Sequence, residues 1–139
     1  MTVKFCVLGE PKGKSRPRAS VINGHARMYT PKDTVSYENL VRYTYQSEVG
    51  KKLQGAIEAR IIGYFPIPKS TSKKKAEMMR TKQIPYTNKI DTDNMAKICL
   101  DSLNNIAYDD DKQIYKLTVE KWYSDTPRVE IELREQNEG

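Results

Sequence analysis

The chain is expected to fold as a single α+β domain over residues 1–139, with one mixed β-sheet of about four main strands plus a small hairpin, flanked by helices. Three observations predict this. Segments that alternate apolar and polar residues recur towards both ends of the chain. Between them lie segments of helical periodicity that begin at capping residues. No repeat or linker divides the 139 residues, and that length suits one core.

Val3, Phe5 and Val7 alternate with Lys4 and Cys6, which predicts a strand ending at Gly9. The next stretch carries four cations, Lys12, Lys14, Arg16 and Arg18, at every second position, and Pro11 and Pro17 keep it non-helical. An extended chain places all four on one side. Asn23-Gly24 between Ser20-Val21-Ile22 and His25-Ala26-Arg27-Met28-Tyr29 predicts a two-residue type I′ turn and a short ribbon carrying Arg27. His25, the only histidine, is read as a surface residue.

Thr30-Pro31-Lys32-Asp33 has the form of a helix start, with Thr30 as cap and Pro31 at the first helical position. The helix is expected to run to Val49 and stop at Gly50, with Val35, Tyr37, Leu40, Val41, Tyr43 and Tyr45 as its apolar stripe. Ala56–Phe65 reads as a second strand, ended by Pro66 and Pro68. Ser70-Thr71-Ser72 then caps a short basic helix that opens with Lys73, Lys74 and Lys75.

After a connector over 84–89, residues 93–103 are helical in pattern. At about 100° per residue, Asp93, Asn94, Lys97, Asp101, Asn104 and Asn105 share a polar sector of roughly 120°. Met95, Ala96, Ile98, Cys99, Leu100 and Leu103 fill the remainder. Tyr115, Leu117 and Val119 mark a third strand and Val129, Ile131 and Leu133 a fourth. With Asp125-Thr126-Pro127 as the turn, these two are expected to form an antiparallel hairpin. The tail 135–139 is expected to fray.

A formal net charge of +6 and a pI near 9.2 favour a polyanionic partner. No apolar run reaches the about 18 residues of a membrane span, and the first residues are too short and too interrupted by Lys4 for a signal peptide, so a cytoplasmic protein is expected. Cys6 and Cys99 lack metal-ligand spacing and read as free thiols in a reducing compartment. The segment from Gly9 to Ser15 is one residue short of a P-loop and no helix start follows it, which argues against a nucleotide cofactor.

In this cationic chain the carboxylates crowd into two places, Asp91 and Asp93 at a helix start and Asp109, Asp110 and Asp111 after it. Dense carboxylates oppose one another's ionisation unless a cation lies among them, so a metal site is expected. Met95 and Ala96 stand where an EF-hand needs an oxygen ligand and a glycine, which leaves Mg2+ as the better expectation and metal-assisted phosphodiester hydrolysis as the chemistry. Lys97, one turn beyond Asp93, is placed to steady a carboxylate, the attacking water or developing negative charge. The plainer alternative makes Asp91 or Asp93 a helix cap and the acidic run a solvated turn.

Gly-Glu-Pro-Lys-Gly-Lys-Ser-Arg-Pro-Arg from Gly9, Tyr29-Thr30-Pro31-Lys32, Asp91-x-Asp93-Asn94-x-x-Lys97, Asp101-x-Leu103-Asn104 and Asp110-Asp111-Lys112-Gln113-Ile114 resemble, in this order, the RusA family of Holliday-junction resolvases. The resemblance implies a homodimeric, Mg2+-dependent endonuclease that cuts four-way DNA junctions by paired nicks in recombination and repair, of the kind carried by bacteria or their prophages. On matching positions it implies Asp91, Asp93 and Asp111 as metal-binding catalytic carboxylates, Lys97 as the accessory catalytic cation and Asp110 as a fourth metal ligand. Lys12, Lys14, Arg16, Arg18, Arg27, Lys73, Lys74 and Lys75 are the expected DNA-binding cations. Ile90 stands where many relatives have proline, and Asp109 lengthens the acidic run; only the spacing to Gln113 favours Asp111 within it. The competing expectations are a non-catalytic DNA-binding or architectural protein, and a nuclease that acts on RNA or other branched substrates.

Overall fold

Ile61-Ile62-Gly63-Tyr64-Phe65 decides the order of the sheet, because all five residues are buried. A strand covered on both faces needs a neighbour on each side. The computed structural model, which describes residues 1–14, 18–29 and 32–136 without the side chains of Arg18, Ser20, Ile22 and Tyr29, provides both. Strand β4 (Ile57–Pro66) pairs parallel with β5 (Ile114–Ser124) and antiparallel with β6 (Arg128–Glu135). Strand β1 (Thr2–Leu8) pairs antiparallel with β6, so the mixed sheet runs β1-β6-β4-β5.

The expected hairpin of the last two strands is therefore corrected. They run antiparallel but do not touch along a ladder, since β4 lies between them. Asp125-Thr126-Pro127 passes beyond the end of β4 and bridges two strand spacings, about 10 Å. Alternation in β5 and β6 specifies which face is apolar but not which neighbour completes the ladder, and the buried run of β4 competes better for both edges.

Val3, Phe5 and Val7 of β1, Ile57, Ala59 and Ile61 of β4 and Val129, Ile131 and Leu133 of β6 form one core with α1 (Lys32–Glu48) and α3 (Thr92–Ser102). Helix α1 buries Thr34, Tyr37, Val41 and Tyr45, a row at three- and four-residue spacing, while Val35, Leu40 and Tyr43 are 40%, 41% and 70% exposed. That row corrects the broader stripe expected from composition. Gly50, at φ 69°, ends the helix, and the N–H groups of Val49 and Gly50 both donate to Tyr45 O. The expected cap and first helical residue, Thr30 and Pro31, lie outside the described residues.

Helix α3 seats Met95, Ala96, Ile98, Cys99 and Leu100 in the core. Burial pushes the Cys99 thiol up to about 12, so it stays a neutral, free thiol, and Cys6 is also free. A Cβ on Gly63 would lie 2.4 Å from Met95 Sδ, so α3 approaches β4 at the one residue that has no side chain.

The other face of the sheet carries a ladder of ion pairs, with Lys4–Glu132 at 3.1 Å, Arg60–Glu120 at 3.1 Å and Arg134–Glu58 at 2.8 Å. Helix α2 (Lys73–Arg80) begins at Ser72, whose side chain accepts the Lys75 N–H, and packs against β5. β2 (Arg18–Ile22) and β3 (His25–Tyr29) form a separate two-stranded ribbon. Its turn residues Asn23 and Gly24 have φ 51° and 78°, as a type I′ turn requires.

The tail is ordered further than expected. Glu135 N–H donates to Met1 O and Gln136 N–H to Ala56 O, while 137–139 lie outside the described residues.

Tyr37 is 7% exposed, and its hydroxyl has no hydrogen-bond partner among the described residues. Tyr108, fully buried, donates to Leu100 O at 2.6 Å. Tyr37→Phe should leave stability unchanged or raise it by about 1 kcal/mol, because it removes an unsatisfied polar group, whereas Tyr108→Phe should cost about 1–2 kcal/mol. Urea denaturation of the two variants checks this contrast.

Candidate active site

The site is organised by the outward row of α3. Asp91 is its N-cap, and Oδ1 accepts the Asn94 N–H at 2.9 Å. Only one carboxylate oxygen is used in this way, and the side chain is exposed. Asp93 follows in the first turn, where the helix dipole favours negative charge. Lys97 and then Asp101 come at one-turn intervals, with Lys97 exposed and Asp101 half-buried. Asp93 and Lys97 have no hydrogen-bond or ion-pair partner among the described residues.

The start of this helix is held from the sheet. Lys121 on β5 donates to Asn88 O at 3.0 Å and to Ile90 O at 2.7 Å. Tyr86 stacks on Phe65 at 3.8 Å between centroids, meets Tyr123 edge-on, and donates from its hydroxyl to Lys89 O. Sequence reasoning left 84–89 as an unassigned connector. The signal it passed over was an aromatic residue within a polar link, a position that calls for an apolar partner.

At the far end of α3 the three consecutive aspartates take different roles. Asp109 is ion-paired with Lys52. Asp110 caps the 3-10 turn Asp111–Gln113 and accepts the Lys112 N–H at 2.8 Å, while Gln113 Oε1 accepts the N–H groups of Asp109 and Asp110. Asp111 donates its N–H to Asn104 Oδ1 at 2.8 Å. Asp101 and Asp110 are its neighbouring carboxyls. Burial first, and then these two neighbours, hold it above the ordinary carboxylate value.

Asp110 and Asp111 thus gather with Asp101, which sequence reasoning placed on the polar face without giving it a role. Asp91 and Asp93 belong to the other end of the helix, and the eight residues from Asp93 to Asp101 span about 12 Å along its axis. Among the described residues no group of three or more Asp, Glu, His or Cys forms a ready metal cage.

The basic loop meets the same helix. Lys14 N–H donates to Asn94 O at 3.2 Å, and a Cβ on Gly13 would lie 2.9 Å from Ile90 Cγ2. Lys14 Nζ lies 2.9 Å from Asp101 Oδ2 and 3.3 Å from Glu38 Oε2. Burial works to lower its pKa, but the bonds to Asp101 and Glu38 outweigh it and leave the ammonium above its ordinary value. Lys14 therefore turns inward, towards α1 and α3.

Lys12 is exposed and lines a groove of about 580 Å³ with Gly13, Asp33, Leu40 and Ile90, the residue that precedes Asp91 in sequence. Arg27, Lys73, Lys74 and Lys75 are exposed, whereas Arg16 and the Arg18 side chain lie outside the described residues.

The family described as Endodeoxyribonuclease RusA matches residues 9–134, from the basic loop through α3 and the acidic turn to β6. The chain belongs to the RusA family. It is also similar to the Bacillus subtilis (strain 168) protein named "Uncharacterized protein YqaN", with 39% identity over 138 residues covering 96% of each chain. The matched region of this RusA-family endonuclease contains every side chain placed above at the two ends of α3. No helix among its described residues is long and apolar enough to cross a membrane.

Asn104→Ala should leave the Asp111 N–H without its acceptor and loosen the acidic turn from α3. The expected cost is about 0.5–1.5 kcal/mol. Amide hydrogen exchange should show faster exchange at Asp111, with the β4–β6 ladder unchanged.

Proposed function

We propose that this RusA-family chain is a Mg2+-dependent endodeoxyribonuclease that resolves four-way DNA junctions in the cytoplasm, as a homodimer that makes paired symmetric nicks. The observation that carries the reading is the row Asp93, Lys97, Asp101, which leads along one face of α3 to Asp111.

The donor set suits Mg2+. Asp91, Asp93, Asp110 and Asp111 offer hard oxygen atoms, and Mg2+ needs only one or two carboxylates besides water and phosphate oxygens. The crowding that opposes ionisation of Asp111 is what a cation relieves. Asp91 and Asp93 would offer ligands at the start of α3, and Asp111 with Asp110 a separate pair at its far end. When bound, the ion supplies polarisation of the phosphodiester and an activated water.

The chain's own groups do the rest. Lys97 has no carboxylate partner among the described residues, so its ammonium is available to the charge that develops on phosphate oxygens. Lys12, Arg27 and, beyond the described side chains, Arg16 and Arg18 supply phosphate contacts. Lys73, Lys74 and Lys75 occupy the first turn of α2, where the dipole disfavours cations. A polyanion laid against that turn offsets the cost.

Labelled four-way junction, duplex, single-stranded DNA and RNA, each with and without Mg2+, test the reading. Metal-dependent nicks confined to the junction support it. Binding without cleavage under any divalent metal would leave a DNA-binding protein, and preference for RNA would redirect the substrate.

Asp93→Asn should abolish cleavage while junction affinity stays equal or rises, since a ligand and a negative charge near phosphate are both lost. Lys97→Ala should give a milder loss. If affinity falls in step with cleavage in Asp93→Asn, the residue serves binding or folding rather than metal ligation.

Two cuts related by symmetry call for two copies of a site that one chain carries once. An isologous dimer places these copies about one axis. A mixed dimer of wild type and Asp93→Asn should nick one strand of a junction and stop. A monomer by light scattering, with paired cleavage intact and first order in protein, would sink the dimer.

A further inference from the structure

We infer that Lys14 is a positioning residue of the proposed reaction rather than a phosphate contact: its ammonium, shared by Asp101 and Glu38, fastens the basic loop to α3 and holds Asp101 beside Asp111. The inference rests on the nuclease reading above. Three independent contacts support it. The ammonium bridges carboxylates that are 24 and 87 residues away in sequence, and so joins the loop after β1 to both α1 and α3. The Lys14 N–H bonds the Asn94 carbonyl in the first part of α3. Gly13 permits the approach, since any side chain there would run into Ile90 and Asn94.

The charge count points the same way. One ammonium between two carboxylates has no positive charge left over, and a phosphate would have to displace both acceptors. Their side chains are only 27% and 12% exposed, and the Lys14 side chain is 28% exposed, so water competes weakly for these bonds. Asp101 in turn reaches Asp111, which makes a relay from Glu38 through Lys14 and Asp101 to the acidic turn. Removing the ammonium leaves Glu38 and Asp101, the latter a neighbour of Asp111, uncompensated and frees the loop that carries Lys12. Lys12, two residues away, exposed and without a carboxylate partner among the described residues, is the natural comparison.

The test compares Lys14→Met, Lys14→Arg, Gly13→Ala and Lys12→Met by two readouts, the salt dependence of junction binding without Mg2+ and the single-turnover cleavage rate at saturating junction with Mg2+. Lys12→Met should lower the log–log salt slope by about one. Lys14→Met should keep the wild-type slope and slow cleavage by about 100-fold, the scale of a misplaced active-site group. Lys14→Arg, which keeps a charge able to span both carboxylates, should recover most of the rate. Gly13→Ala should slow cleavage at unchanged slope, and it decides the matter should Lys14→Met fail to fold. A slope reduced by about one in Lys14→Met with the saturated rate intact would overturn the inference, as would Gly13→Ala at wild-type rate. A wild-type protein that binds junctions and cuts nothing would instead sink the nuclease reading, and the slopes of Lys12→Met and Lys14→Met would still decide what Lys14 contacts.

Discussion

The close approach of α3 to β4 at Gly63 governs the geometry of the whole site. Met95 Sδ occupies the space that any side chain at residue 63 would need, so the helix lies lower on the sheet there than a larger residue allows. With Met95, Ala96, Ile98, Cys99 and Leu100 committed to the core, helical periodicity leaves one direction for Asp93, Lys97 and Asp101. Both ends of the helix are then tied down by hydrogen bonds from outside it. Lys121 holds the carbonyls before the first turn, and the Tyr108 hydroxyl takes the Leu100 carbonyl near the last. The row of polar residues is thus a rigid edge of the core, the kind of support that a site of defined geometry needs.

Capping does not exclude the metal chemistry proposed above. Asp91 caps α3 and Asp110 caps the 3-10 turn, as the plainer reading of these residues expects. A carboxylate has two oxygens and about four acceptor positions, and a backbone N–H uses one of them. The cap fixes the rotamer, and the remaining oxygen is then aimed without further loss of side-chain freedom. Asp111 is oriented differently, through its own backbone, because Asn104 takes its N–H and turns its carboxyl towards Asp101. Asp109, drawn off by Lys52, differs from both of its neighbours.

The sequence was legible wherever a local rule decides the outcome. The Asn23-Gly24 turn, the Ser72 cap, the buried side of α3 and its polar row follow from backbone preference and periodicity. What escaped was pairing across long distances. Alternation in β5 and β6 is equally compatible with a hairpin and with insertion of β4 between them, and only the unbroken apolar run of β4 distinguishes the two. The stripe of α1 was read too wide because Val35, Leu40 and Tyr43 are apolar by composition yet lie off the Tyr37–Val41–Tyr45 row. Nothing local in the sequence announces the acceptors of Lys14 on α1 and α3.

The charge pattern follows from the same division of faces. On the open face of the sheet, Lys4, Arg60, Lys116 and Arg134 are each paired with a glutamate, so this surface contributes little net field despite its many charges. The excess of +6 must reside elsewhere, and residues 11–32 and the first turn of α2 are rich in lysine and arginine without any aspartate or glutamate. The chain therefore combines cation-rich segments that attract a polyanion with an α3 row whose carboxylates repel it. A phosphate drawn in by that outer field meets a negative site unless a cation stands between them. On the nuclease reading proposed above, a cation would be the condition for engaging the scissile phosphate, while affinity for the rest of the nucleic acid would rest on side chains outside the row.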